Sequence, residues 1–139
     1  MPQIKSVNFS EAEQTLSLIR RIVFIDEQQV DKELEFDGQD AQCEHFLIYS
    51  GSKPVGTARL QPSGKIERMA ILKEARGQGL GRALLRFLLQ RAREKGLQRV
   101  YMHAQESAVG FYAKEGFETY EDSFIEADIV HFKMQLALT

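Results

Sequence analysis

Apolar positions along the chain alternate between a strand rhythm and a helical one. Ile4-Lys5-Ser6-Val7 reads as a short strand. Ser10, with Glu13 three residues on, resembles a capping box, and Leu16, Ile19 and Val23 follow at helical spacing. A helix from about Glu11 to Phe24 is therefore expected. The acidic, partly apolar stretch Asp26 to Asp40 reads as a short helix followed by a loop. Strands are expected over Glu44 to Tyr49 and Val55 to Gln61, with hairpin chemistry at Ser50-Gly51-Ser52-Lys53 between them. Pro62-Ser63-Gly64 turns into a third strand, Lys65 to Leu72. Three strands joined by short turns imply an antiparallel meander.

In that third strand the apolar phase breaks. Ile66 and Ala70 share one parity, Met69 and Ile71 the other, which fits either burial on both faces or a β-bulge. The next pattern is the clearest in the chain: Leu80, Ala83, Leu84, Phe87, Leu88 and Ala92 form one helical stripe, with Arg82, Arg86, Gln90 and Arg93 outside it and Gly96 as the stop. Arg99 to Ala104 is then a strand, parallel to the third if the helix is a crossover. Ser107 to Glu115 gives a short helix, and strands at about Phe117 to Phe124 and Asp128 to Leu136 end the pattern. The expected fold is α+β: a mixed, mostly antiparallel sheet with one parallel junction, flanked by helices, as one domain over residues 1–139.

Composition narrows the class. The 139 residues are 43% hydrophobic and 27% charged, with a formal net charge of −2. That balance argues against broad nucleic-acid binding, which needs a basic face. No apolar run approaches a membrane span, and Met1 to Phe9 lacks a signal-peptide layout. A lone cysteine, Cys43, makes a reducing, cytoplasmic setting the default. Cysteines and histidines are too few to suggest a metal site.

Arg76-Gly77-Gln78-Gly79-Leu80-Gly81 carries the strongest chemical signal. Alternating glycines at a helix start leave free amides and the positive end of the helix dipole pointing outward, a cradle for a pyrophosphate. A dinucleotide-binding loop is excluded because Arg82 stands where its last glycine belongs, and no Gly-Lys-Ser/Thr triplet supports a P-loop.

Ile66 to Leu72 followed by this loop resembles motif A (Q/R-x-x-G-x-G/A) of the GNAT N-acetyltransferases. Gly110-Phe111-Tyr112-Ala113-Lys114-Glu115-Gly116-Phe117 is similar to their motif B. Arg21-x-Val23-Phe24-x-x-Glu27-Gln28-x-Val30, with Asp37, Asp40, His45 and the run Glu126 to His131, resembles the ElaA/YjcF-like branch, although Asp128 and Val130 depart from its usual glycine and proline.

The resemblance implies the GNAT fold with a splayed central parallel strand pair, and acetyl-CoA as cofactor. Arg76, Gly77, Gln78, Gly79, Leu80, Gly81 and Arg82 would hold the pyrophosphate, and the backbone of Met69, Ala70 and Ile71 the pantetheine arm. An amine of a small molecule or peptide would attack the thioester directly. An alkylammonium, with a pKa of ~10.4, must first lose a proton, and Glu67 is the expected general base. Tyr112 is the expected donor to the departing thiolate, and a strand amide near Ile71 would hold the oxyanion.

On the acceptor side, Glu27 belongs to an acidic segment suited to a cationic amine. Arg59 and Arg68 either bind an anionic substituent or pair with those acids. His131 and His45 are candidates to line the acceptor pocket. An aminosugar-phosphate acetyltransferase, which shares a similar Val-Gly-Phe-Tyr motif, is the alternative enzyme, and a non-catalytic acyl-CoA sensor the alternative class. A homodimer is compatible with the resemblance.

Overall fold

The computed structural model describes residues 2–138. The element order is β1 (Gln3–Val7), α1 (Phe9–Arg20), α2 (Lys32–Glu35), β2 (Glu44–Ser50), β3 (Lys53–Leu60), β4 (Ile66–Ile71), α3 (Leu80–Glu94), β5 (Arg99–Gln105), α4 (Val109–Lys114), β6 (Glu118–Glu126) and β7 (Ile129–Ala137). Strands β1 to β4 form the expected antiparallel meander, extended by β1 on its outer edge. A second sheet has the order β5-β7-β6, so the last strand lies between its two predecessors.

The two sheets meet through one parallel bridge, Lys65 to Tyr101, where the Tyr101 amide donates to the Gly64 carbonyl at 3.1 Å. Gly64 makes this approach possible. Its φ is +100°, and a β-carbon there would stand 2.6 Å from the Arg99 carbonyl oxygen. Beyond the bridge β4 and β5 separate.

Helices cover both faces. On one, Leu84, Leu85, Leu88 and Ala92 of α3 are fully enclosed against Phe46, Ile48, Ala58, Leu60 and Val100. Burying each leucine contributes roughly 2 kcal/mol. On the other, Leu16, Ile19, Val23 and Phe24 pack on Leu47, Ala70 and Leu72. Strand β2 is apolar on both parities for this reason: Phe46 and Ile48 meet one layer and Leu47 the other.

The first helix differs from expectation at both ends. It begins at Phe9 after Asn8, whose amide nitrogen donates to Glu11 at 2.6 Å, and not at a Ser10 capping box. It then widens into π-helical turns over Arg21–Glu27, ending in the bond from the Gln28 amide to the Val23 carbonyl.

Candidate active site

The divergence of β4 and β5 opens a cleft of about 1000 Å³ between the sheets, walled further by α4, by the segment from Val23 to Gln39, and by the turn between β6 and β7. A bulge in β4 starts the separation. Thr57 pairs with Ala70 and Arg59 with Glu67, so Ala58 alone faces both Arg68 and Met69, and Arg68 adopts a φ of +54°. Past the bulge the Leu72 amide bonds to Val55 of β3 at 2.8 Å, while the Ile71 carbonyl accepts from Arg76 Nε at 2.9 Å on the opposite edge. Strand alternation therefore turns the Met69 and Ile71 amides toward the cleft and that of Ala70 toward β3.

At one end of the cleft, Gly77 and Gly79 both have φ of +79°, and a β-carbon at either position would meet open space. Gly79 caps α3, and the first intrahelical bond runs from the Ala83 amide to its carbonyl. The amides of Leu80, Gly81 and Arg82 precede that bond and have no partner within the helix. These open, donor-rich turns fit a pyrophosphate by shape and by charge. The Leu80 side chain points into the core, and Gln78 is exposed. The guanidinium of Arg82 lies with Arg86 on Glu115, so at this position it is the backbone that is free. Arg76 holds Glu27 with bonds of 2.7 and 2.8 Å.

Tyr112 stands in the cleft wall on α4. Its hydroxyl reaches Met69 Sδ at 3.6 Å, and its ring packs edge-on against Phe111 and Phe117. Burial pushes its pKa up to about 12, so the phenol is protonated throughout the neutral range.

Behind the cleft floor runs a network of ions that couples the segment after α2 to the sheet. Arg20, nearly inaccessible, bonds Glu35 and Asp40 at 2.8 and 2.7 Å. Arg59, at 0% exposure, bonds Asp37, Asp40 and Glu67, each at 2.9 Å. Arg68 bonds Glu35 at 3.1 Å, Asp37 at 3.3 Å and the Leu34 and Glu35 carbonyls. Burial alone would raise Asp37, but the hydrogen bonds from Arg59 hold it down at about 2.

This geometry corrects several expectations. Of the two readings of Arg59, the structure has the pairing with the acids: it is enclosed by carboxylates and does not line the cleft, where an anionic substituent would have to meet it. Arg68 lines the cleft with its guanidinium already engaged, and the phosphate-binding pair behind the aminosugar-phosphate alternative is absent. Glu27 does not line the cleft and is paired with Arg76, which does. Glu67 does face the cleft, yet Arg59, Gln61 and Lys65 all bind its carboxylate. Burial would raise its pKa; the Arg59 charge and these bonds outweigh that and lower it. It is a weak base where it stands.

His45 is buried behind Asp40, its Nε2 against the Asp40 carbonyl at 2.8 Å, outside the cleft. Burial also pushes the Cys43 thiol up to about 11, far from a nucleophile's range. His131 does line the cleft, beside His103 and Glu126. Glu126 also lines the cleft; it stands at the head of the run Glu126 to His131 that carries the branch resemblance, where His131 alone was expected as a site residue.

Residues 12–138 match the family model described as "Acetyltransferase (GNAT) domain". Over 122 residues the chain is 43% identical to the uncharacterized protein YyaT of Bacillus subtilis, covering 84% of this chain and 82% of that one. It is 37% identical to the uncharacterized N-acetyltransferase YjcF of the same organism, covering 84% and 86%. The crystal structure of Escherichia coli ElaA superposes with a TM-score of 0.86 at 24% identity, over 97% and 99% of the two chains. Bulge, splay, open glycine turns and half-buried tyrosine thus occur in a chain that belongs to the GNAT acetyltransferases, in their ElaA/YjcF-like branch.

Proposed function

We propose that the chain transfers the acetyl group of acetyl-CoA directly to a primary amine. The observation that carries this reading is the cleft itself, where unpaired strand backbone at Met69 and Ile71 leads to the open turns of Gly77 and Gly79. A strand edge suits the amide-bearing pantetheine arm, and the amides of Gly77 to Arg82 suit the pyrophosphate. The Ile71 amide faces the cleft, and in this reading it donates to the carbonyl oxygen of the thioester as charge develops there. The Tyr112 hydroxyl, level with Met69, donates to the departing sulfur.

Calorimetric titration with acetyl-CoA, CoA and ATP–Mg²⁺ tests the reading, with Gly79→Glu as control. Glutamate there places a chain and a negative charge in the pyrophosphate cradle. Micromolar binding of both CoA species, lost in Gly79→Glu, is the expected result. Binding of ATP–Mg²⁺ alone, or of no ligand, overturns the reading.

A further inference from the structure

Four carboxylates line the cleft among the described residues: Glu35, Asp37, Glu67 and Glu126. The first three are bound by arginine or lysine. Glu126, 49% exposed at its side chain, has among the described residues only the histidines His103 and His131 within ion-pair distance. His103 Nδ1 meets its Oε1 at 3.1 Å, and because a carboxylate only accepts, that nitrogen is the donor. On the other side, His131 Nδ1 stands 2.7 Å from the Ile129 carbonyl, which likewise only accepts. In the neutral ring the proton is therefore on Nδ1, and Nε2 is left as an acceptor. Glu126 Oε2 and His131 Nε2 are 3.9 Å apart, and no described residue donates a hydrogen bond to either. Two acceptors at this separation, both in the cleft wall, suit one group with several N–H donors.

Position agrees with this. Counting two residues on from the Lys65–Tyr101 bridge places Glu67 and His103 level across the cleft. His131 is the register partner of Gln105, one step further along, on the side that carries Met69 and the Tyr112 hydroxyl. Phe124 stacks on His131 at 5.8 Å and meets His103 edge-on at 4.9 Å, fixing both rings.

Resting on the acetyl transfer proposed above, we infer that Glu126 and His131 form the acceptor's ammonium site. The acceptors are then primary amines on an apolar body with no anionic group. The remaining lining gives the second half of this inference. Val23, Phe24, Val30 and Leu34 offer apolar surface, while the cleft cations Lys65, Arg68 and Arg76 are each held by a carboxylate. The acceptor's ammonium donates to Glu126 Oε2 and passes one proton to His131 Nε2. Its nitrogen lone pair then bonds to the thioester carbon as the carbon–sulfur bond breaks. The nitrogen's second proton goes to the sulfur, whose charge the Tyr112 hydroxyl holds meanwhile, and the His131 imidazolium releases the first to solvent. His103 positions Glu126.

Thiol release from acetyl-CoA, measured with phenethylamine, hexylamine, glutamate and glucosamine 6-phosphate as acceptors, tests this. Phenethylamine and hexylamine should be the better acceptors. Glu126→Gln should raise KM for phenethylamine roughly tenfold with little change in kcat, as for loss of one charge-assisted contact. His131→Gln, which keeps a hydrogen-bond donor, should lower kcat roughly 10²-fold with KM for phenethylamine little changed. Acetyl-CoA affinity should be unchanged in both variants, which also reports folding. An unchanged KM in Glu126→Gln, a preference for the anionic acceptors, or acetyl-CoA binding without transfer to either simple amine overturns this assignment. Failure of the wild-type chain to bind acetyl-CoA overturns the acetyl-transfer reading instead.

Discussion

Arg76 grips Glu27 through two nitrogen–oxygen bonds of 2.7 and 2.8 Å, tying the head of the glycine loop to the end of the π-helical turns 49 residues earlier. The same guanidinium caps the Ile71 carbonyl at 2.9 Å. One side chain thus joins the glycine turns, the strand edge and the segment that walls the cleft. Both partners are more than a third exposed, so solvent screening limits the pair to about 1 kcal/mol or less.

Removing Glu27 therefore tests whether Arg76 serves a phosphate. Glu27→Gln frees the guanidinium, and acetyl-CoA should bind up to about fivefold tighter, the factor that corresponds to a pair of this strength. Arg76→Ala should weaken binding by a similar factor or more. Calorimetry on both variants checks the opposite signs; equal weakening in the two would mean that Arg76 acts only by holding the segment in place.

Arg59 is a stability prediction. Its guanidinium satisfies Asp37, Asp40 and Glu67 with no access to solvent. Arg59→Met takes the shared cation from three buried or half-buried carboxylates, leaving Asp40 to Arg20, Asp37 to Arg68 and Glu67 to Lys65, and such a change costs up to about 3–5 kcal/mol. Arg59→Lys should recover only part of that, since one ammonium cannot reproduce the planar fork. Urea denaturation measures both.

Acid should act through the same cluster. Asp37 has a folded pKa of about 2 against an ordinary 3.8, and Asp40 and Glu67 are also lowered. A lowered folded pKa means stability that is fully present above the unfolded value and lost as pH falls toward the folded one. The urea midpoint should hold from pH 7 to about 5 and drop between about pH 4 and 2. Asp37→Asn should flatten part of that drop.

What could be read without coordinates followed from local physics. The stripe from Leu80 to Ala92 declares α3 because its period persists over four turns, and the broken parity at Ile66 to Ile71 marks the place where Arg68 turns to positive φ. The widening into π-helical turns left no such mark, since Leu16, Ile19 and Val23 suit either helix. The insertion of β7 between β5 and β6 depends on pairing among distant segments, which alternation along one strand does not encode. Motif spacing marked the glycine turns, which open at one end of the cleft, and Tyr112, which stands in its wall. The fate of Arg59 could not be read, because its partners lie 8 to 22 residues away and any of several charges would serve.

Gly64 should resist substitution more than Gly77 or Gly79, where a β-carbon meets open space. Gly64→Ala brings a β-carbon to 2.6 Å from the Arg99 carbonyl and forces a side chain onto a φ of +100°. Strain and clash together should cost about 2 kcal/mol or more. Because the bridge to Tyr101 sets where the sheets part, acetyl-CoA affinity should fall with the melting temperature. An alanine variant with wild-type melting would show that the bridge is not a constraint on the splay.

Tyr112→Phe separates hydrogen bonding from proton transfer. With its pKa near 12, the phenol is more than three units less acidic than a thiol of ~8.5, so complete transfer to the leaving sulfur is uphill by roughly 5 kcal/mol. A donor so placed stabilises the thiolate by a hydrogen bond and leaves the proton to come from the attacking nitrogen. Loss of one charge-assisted bond of about 1.5–3 kcal/mol corresponds to a fall in kcat of roughly 10- to 150-fold. Phenylalanine keeps the packing against Phe111 and Phe117, so acetyl-CoA affinity and melting temperature should stay near wild type. The wild-type rate should also show no alkaline limb below about pH 10 that disappears in the variant. A fall of 10⁴-fold, or such a limb, would instead assign Tyr112 the full transfer of a proton, and its pKa in the working complex would then have to lie well below 12.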